Sequence, residues 1–115
     1  MAVPHDAKKV AVIGQMLEMG KDSSRYHKEI AEMIGQSDIQ LVWFLGDDAA
    51  AFEAGLKNSG FSKTHLISNG YEESLALKVR SMLNPNDIVV MKGSRGMRLE
   101  RVMQAWDSSF QLLKK

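Results

Sequence analysis

Along this chain, short apolar runs alternate with stretches whose apolar residues recur every three or four positions. The run KKVAVIG, residues 8–14, is β-branched and closed by Gly14, which predicts a buried strand. The following QMLEMGKDSS is too short and too glycine-interrupted to predict a helix. From Ser24 to Ile34 the residues Tyr26, Ile30, Met33 and Ile34 recur at helical spacing. Asp22, Ser23 and Ser24 offer N-cap oxygens there, and Gly35 a stop. IQLVWFLG, residues 39–46, repeats the strand pattern, and Asp47 or Asp48 can cap a helix with Phe52 and Leu56 on one face. That helix is expected to end at Asn58, Ser59 and Gly60, and KTHLIS to form a shorter third strand. Leu75, Val79, Met82 and Leu83 mark a third helix, NPND a turn, and DIVVMKG a fourth strand. Leu99, Val102, Met103 and Trp106 mark a last helix, and the tail SSFQLLKK is expected to add an edge strand.

Strand and helix thus alternate, and the strands read as unbroken apolar runs, because a strand buried on both faces has no polar side. The expected fold is an α/β sandwich, an open, mostly parallel sheet with helices on both faces. No repeat or composition break divides the 115 residues, so one domain is expected, with residues 1–7 loose.

In such a sheet, ligands bind beyond the carboxyl ends of the strands. Three predicted strands end in glycine there, at Gly14, Gly46 and Gly93. Glycine permits positive φ and close approach of backbone to a ligand. Their neighbours are polar: Gln15 and Glu18, Asp47 and Asp48, then Lys92, Ser94 and Arg95. If Lys92–Arg95 opens a helix, free N–H groups and two cations together make a seat for a carboxylate or phosphate. Arg95 can grip such a group bidentately, and Ser94 can cap the helix or donate a hydrogen bond. Ser94 as a plain cap beside solvated cations is equally open.

The rest of the chain narrows the chemistry. The formal charge of +1 excludes a strongly basic nucleic-acid surface, and the absence of cysteine excludes disulfides and thiolate chemistry. No apolar run approaches the ~20 residues that span a bilayer. The opening MAVPHDAKK lacks the apolar core of a signal peptide, so a soluble, cytoplasmic domain is expected. Neither phosphate-binding fingerprint, G-x-x-x-x-G-K-[ST] or G-x-G-x-x-G, is present, nor a metal-binding histidine pair or a G-x-S-x-G nucleophile. His27 reads as a structural histidine beside the apolar stripe, Glu18 as a solvated loop carboxylate, and Asp47 and Asp48 as a cap rather than a metal pair. No complete active site is visible; the domain has the look of part of one.

Two segments resemble signatures of the bacterial Mur ligases. VAVIGQMLEMGKDSSRYHKEI is similar to the family's apolar strand, Gly-Asp-Met-x-Glu-Leu-Gly and spaced His, read here as Gly14, Gln15, Met16, Leu17, Glu18, Met19, Gly20 and His27. NPNDIVVMKGSRGMRLERVM resembles Gly-Asp-x-Val-Leu-Val-Lys-Gly-Ser-Arg followed by Met and Glu, matched at Lys92, Gly93, Ser94, Arg95, Met97 and Glu100. Gly46 of FLGDDA resembles the strand-end glycine between them. One position departs: Gln15 stands where the family has Asp, so a hydrogen bond can persist but a charge cannot.

The resemblance implies the third, Rossmann-like domain of a ligase that forms an amide through an acyl phosphate. The Lys-Gly-Ser-Arg form is similar to members that join D-alanyl-D-alanine to a UDP-linked muramoyl tripeptide in peptidoglycan synthesis; other members resemble Lys-Gly-His-Glu here. It implies substrate contacts at Lys92, Gly93, Ser94, Arg95, Gly46 and Asp47, with Gly14, Gln15, Glu18 and His27 in support. It also implies upstream domains of the same polypeptide that carry ATP and magnesium, leaving this domain inactive alone, without a cofactor or metal of its own. No nucleic acid or membrane partner is expected. A free-standing anion-binding module without catalysis is the alternative.

Overall fold

The computed structural model describes residues 7–110. Strands β1 (Lys9–Gly14), β2 (Leu41–Leu45), β3 (Thr64–Ser68) and β4 (Ile88–Lys92) alternate with helices α1 (Ser23–Gly35), α2 (Ala49–Asn58), α3 (Glu73–Ser81) and α4 (Glu100–Phe110). Every strand pairing is parallel, in the order β3-β2-β1-β4, with Val12 opposite both Trp43 and Met91. The chain steps outward from β1 to β3 and then returns to place β4 on the other flank of β1. The loops after β1 and β4 therefore meet where the strand order reverses, the position at which open α/β sheets bind ligands.

The two faces of β1 and β2 explain their unbroken apolar sequence, since successive side chains point to opposite sides. Ala11, Ile13, Val42 and Phe44 pack against Ala31 and Ile34 of α1 and Phe52 and Leu56 of α2. Val10, Val12, Leu41, Trp43 and Leu45 pack against Ala76 and Val79 of α3 and Val102 and Trp106 of α4. Both indole N–H groups find acceptors in this core: Trp43 donates to Ser68 Oγ (3.0 Å) and Trp106 to the Ala76 carbonyl (2.8 Å). A buried donor without a partner costs free energy, so these bonds hold the rings in one orientation.

Several local expectations shift. β4 is an edge strand with only one covered face: Val89 and Met91 pack inward, while Val90 is 53% exposed. In α1 the buried face is His27, Ala31 and Ile34, and Met33 points outward. His27 thus sits within the buried stripe rather than beside it. Met82 and Leu83 follow α3 rather than belonging to it. The tail's expected edge strand does not begin at residue 108, because α4 continues to Phe110. Residues 111–115, and residues 1–6 of the segment 1–7 expected to be loose, lie outside the described residues.

Two helical glycines set the spacing of α1 and α2. Gly35 is not a left-handed stop; a Cβ there would collide with the Ser59 side chain. A Cβ on Gly55 would meet the Lys28 carbonyl oxygen, and would lie 2.8 Å from the Ala31 methyl. Gly55→Ala should gain about 1 kcal/mol of helix propensity yet lose more by forcing the backbones apart. Net destabilisation of up to about 2 kcal/mol is expected, since overpacking costs about 1–3, and urea unfolding would measure it. A more stable Gly55→Ala variant would refute the close crossing.

Candidate functional site

The ends of all four strands are laced together at the carboxyl edge. The Gln15 N–H donates to the Leu45 carbonyl (3.1 Å), the Ser94 N–H to the Gln15 carbonyl (3.2 Å), and the Gly46 N–H to the Ser68 carbonyl (2.9 Å). The Ser94 hydroxyl accepts the Leu17 N–H (2.8 Å) and donates to Glu18 Oε1 (3.0 Å). Ser94 is therefore buried and caps no helix, its one proton already committed to Glu18. Glu18, expected as a solvated carboxylate, is half of the clasp between the two loops.

No α-helix opens at Lys92–Arg95. Arg95–Met97 forms a single 3-10 turn, Arg98 follows in the left-handed region (φ 52°, ψ 53°), and α4 begins only at Glu100. The expected seat on a helix N-terminus is corrected accordingly: positive charge here comes from side chains. Lys92 and Arg95 are both exposed, and among the described residues no hydrogen bond or ion pair engages either side chain. Both line an open groove of about 440 Å³ together with Ser94, Leu99, Glu100 and Met103.

The strand-end glycines also act differently from expectation. The glycines with positive φ among the described residues are Gly20 (60°) and Gly60 (81°), not Gly14, Gly46 or Gly93. What those three make room for is protein. A Cβ on Gly46 would stand 2.6 Å from the Gln15 Cβ, and one on Gly93 would stand 3.0 Å from the Gly14 Cα. One on Gly14 would press on Leu99 at 3.2 Å. The missing side chains let β1, β2 and β4 end close together, which brings their loops into one site.

Gln15 is the centre of the polar layer beneath. Its side-chain carbonyl accepts the Asp48 N–H (2.9 Å), and its amide donates to Asp48 Oδ2 (2.5 Å) and Ser23 Oγ (3.0 Å). Asp48 also accepts from the Ser23 and Ser24 hydroxyls. These three residues, expected as helix caps, spend their side chains on one another instead, joining α1 to the start of α2. Burial opposes the charged form of Asp48, but the bonds from Ser23, Gln15 and Ser24, with His27 nearby, hold its carboxyl below the usual carboxylate value. His27 accepts the Met16 N–H at Nε2 (2.9 Å), so its proton sits on Nδ1 facing the Ser23 carbonyl (2.7 Å). It supports the first loop from below and does not face the groove. Asp47 stands apart, exposed, in a second groove with Glu53, His65 and Asn69.

The comparisons with known proteins join this geometry to a family. The model of the family described as Mur ligase, glutamate ligase domain, matches residues 2–95. The chain belongs to the Mur ligases. It is 32% identical over 98 residues to the UDP-N-acetylmuramoyl-tripeptide–D-alanyl-D-alanine ligase of Bacillus subtilis, covering 84% of this chain and 21% of that protein. The ligase of the same name from Haemophilus influenzae is 28% identical over 102 residues, covering 86% and 21%. The chain thus spans about a fifth of the length of these relatives. The crystal structure of MurF ligase from Thermotoga maritima in complex with ADP superposes with a TM-score of 0.67 at 23% identity, covering 97% of this chain and 24% of that one. That likeness shows the fold.

In this Mur ligase domain the two signature segments are the two loops that Ser94 and Glu18 clasp. Gln15, in the first of these loops, puts a neutral amide donor against the Asp48 carboxylate. Two contributors gave no warning in the sequence: Tyr71 after β3, and Arg101, whose guanidinium lies 4.6 Å from the Tyr71 ring centroid. Thirty positions separate them; Tyr71 lies outside both signature segments, and Arg101 lies within the second but at none of its matched positions.

The Asp48 tie carries a pH signature. Because its folded pKa is lowered, its stabilising contribution is complete above the unfolded value of about 3.9 and is lost as pH falls through the folded value. Urea stability should therefore decline below about pH 4, and Asp48→Ala should decline less steeply. Equal slopes would deny Asp48 its part.

Proposed function

We propose that this chain is the substrate-closing, C-terminal domain of an ATP-dependent ligase that joins D-alanyl-D-alanine to UDP-N-acetylmuramoyl tripeptide in peptidoglycan synthesis. In that reaction the tripeptide carboxylate takes the terminal phosphoryl group of ATP, and the dipeptide amine displaces phosphate to form the amide. The observation that carries the reading is the pair of exposed, unengaged cations, Lys92 and Arg95, at the reversal of strand order. Every species near the reacting centre is anionic: the dipeptide carboxylate, the acyl phosphate and the nucleotide. Cations held over a rigid loop clasp can orient such groups and offset charge as it develops.

On this reading Lys92 and Arg95 meet a substrate carboxylate or phosphate, while Gly93 and Ser94 hold the loop that presents them. Gly46 admits Gln15, and Gly14, Gln15, Glu18 and His27 keep the clasp in register. Asp47, in its separate groove, would be reached only by a substrate extending along α2. ADP is bound in the Thermotoga maritima relative; for this chain, ATP would be shared with other domains of the same polypeptide. Among the described residues no group of three His, Cys, Asp or Glu could hold a metal ion. Magnesium, on this reading, is held by those other domains. None of the described helices is long and apolar enough to cross a membrane, and the reading places the enzyme in the cytoplasm.

The test is ADP release by the polypeptide that carries this chain in its own cells, isolated with an antibody to the domain. Release that requires both D-alanyl-D-alanine and the UDP-linked tripeptide supports the ligase. A product no larger than this chain, with no such release, would leave an anion-binding module.

A further inference from the structure

Arg95 is useful to a ligand only if the short turn that carries it is stiff. A three-residue 3-10 turn has little rigidity of its own, and this one ends in a left-handed arginine, a conformation that costs about 1–2 kcal/mol outside glycine. Something must hold it. The Arg98 N–H closes the turn on the Arg95 carbonyl (2.9 Å). The carbonyls of Met97 and Arg98 are then gathered by one side chain: Arg101 donates from Nη2 to Met97 (2.5 Å) and from Nε to Arg98 (3.0 Å).

Arg101 is itself anchored from the other side. Its guanidinium sits over the ring of Tyr71, 4.6 Å from the centroid, and the Tyr71 hydroxyl donates to the Arg101 carbonyl (3.5 Å). Tyr71 packs in turn on the buried Trp43, with ring centroids 6.3 Å apart. A continuous path of contacts therefore leads from the central strand β2, through Trp43, Tyr71 and Arg101, to the turn that begins at Arg95. Nearby Arg95 and Lys92 have no such engagement. The guanidinium fork suits this task, because two of its donors meet two carbonyls while its flat face stacks on an aromatic ring.

We infer that Arg101 is a positioning residue: it fixes the Arg95–Met97 turn and thereby the direction from which Arg95 meets its anionic substrate. The inference rests on the ligase reading above and adds to it a residue that touches no substrate. Its test is a set of variants in the polypeptide that carries this chain, assayed by ADP release well below each variant's unfolding temperature. Arg95→Ala identifies which substrate Arg95 serves by raising the KM for the dipeptide, the tripeptide or ATP. Arg101→Ala should raise the same KM by about tenfold or more, as expected when a binding group is slightly misplaced, with the other KM values unmoved. Adding Arg101→Ala to Arg95→Ala should then change that KM little further, because there is nothing left to position. Tyr71→Leu, which keeps the arginine but removes its platform, should raise the same KM less, and stands in should Arg101→Ala fail to fold.

An Arg101→Ala enzyme that melts earlier but keeps every KM would overturn the inference and leave Arg101 purely structural. So would full additivity of the two substitutions. If Arg95→Ala itself changes nothing, the substrate role of Arg95 fails, and the positioning role falls with it. If Arg95→Ala acts while Arg101→Ala and Tyr71→Leu do not, only the positioning role fails.

Discussion

Replacing Gln15 by glutamate is expected to destabilise the domain by about 3–5 kcal/mol at neutral pH, the scale of an uncompensated buried charge. Gln15 is 6% exposed, and its amide is the donor that faces Asp48 Oδ2 at 2.5 Å. A glutamate would set a second carboxylate in that position and lose the donor to Ser23 as well. Two carboxylates this close cannot both ionise without cost, so the new group would hold its proton more tightly in the folded state than in the unfolded one. A carboxyl whose folded pKa is raised stabilises at low pH and loses that contribution as pH rises through the window above about 4.3. The variant should therefore recover as pH falls from 7 toward 5, while the native domain changes little over that range. Urea midpoints at the two values decide it. A variant as stable as the parent at pH 7 would mean that Gln15 is not the neutral link the structure presents.

The second large effect concerns function. Arg95→Ala should lower kcat/KM for the anionic substrate by about tenfold to a hundredfold, the kinetic equivalent of losing about 1.5–3 kcal/mol from a hydrogen-bonded charge. Arg95→Lys should recover only part of the loss, because an ammonium cannot reproduce a bidentate grip. Stability should hardly change, since among the described residues the Arg95 side chain makes no hydrogen bond or ion pair. The measurement is ADP release against varied dipeptide, tripeptide and ATP. Unaltered kinetics would remove Arg95 from the site.

The legible and illegible parts of this protein divide along physical lines. The central strands were legible because residues buried on both sheet faces must all be apolar, as Val10–Ile13 and Leu41–Leu45 are. β4 reads the same way in sequence but is half exposed, because helix cover is a property of the assembled layers. His27 looked peripheral because an imidazole does not score as apolar, yet its two nitrogens are satisfied by Met16 and Ser23 and it packs among the core rings. Ser23, Ser24 and Asp48 carried the composition of helix caps. Capping and long-range hydrogen bonding use the same oxygens, so only the position of the partner loop could choose between them.

The candidate site shows the same division more sharply. The sequence alone determined the fold class, through the alternation of apolar runs and helical periodicity. It also determined the chemistry on offer, since Lys92, Ser94 and Arg95 are read directly and their family pattern is local. Only the tertiary structure decided what each residue does. Strand order brings the β1 and β4 loops together, so that Ser94 donates its hydroxyl proton to Glu18 across 76 positions. A left-handed Arg98 interrupts the expected helix and leaves Arg95 on a turn that Arg101 and Tyr71 must brace. Local sequence encodes propensity and donor type, whereas the partner of each donor is set by which distant segments the sheet places side by side.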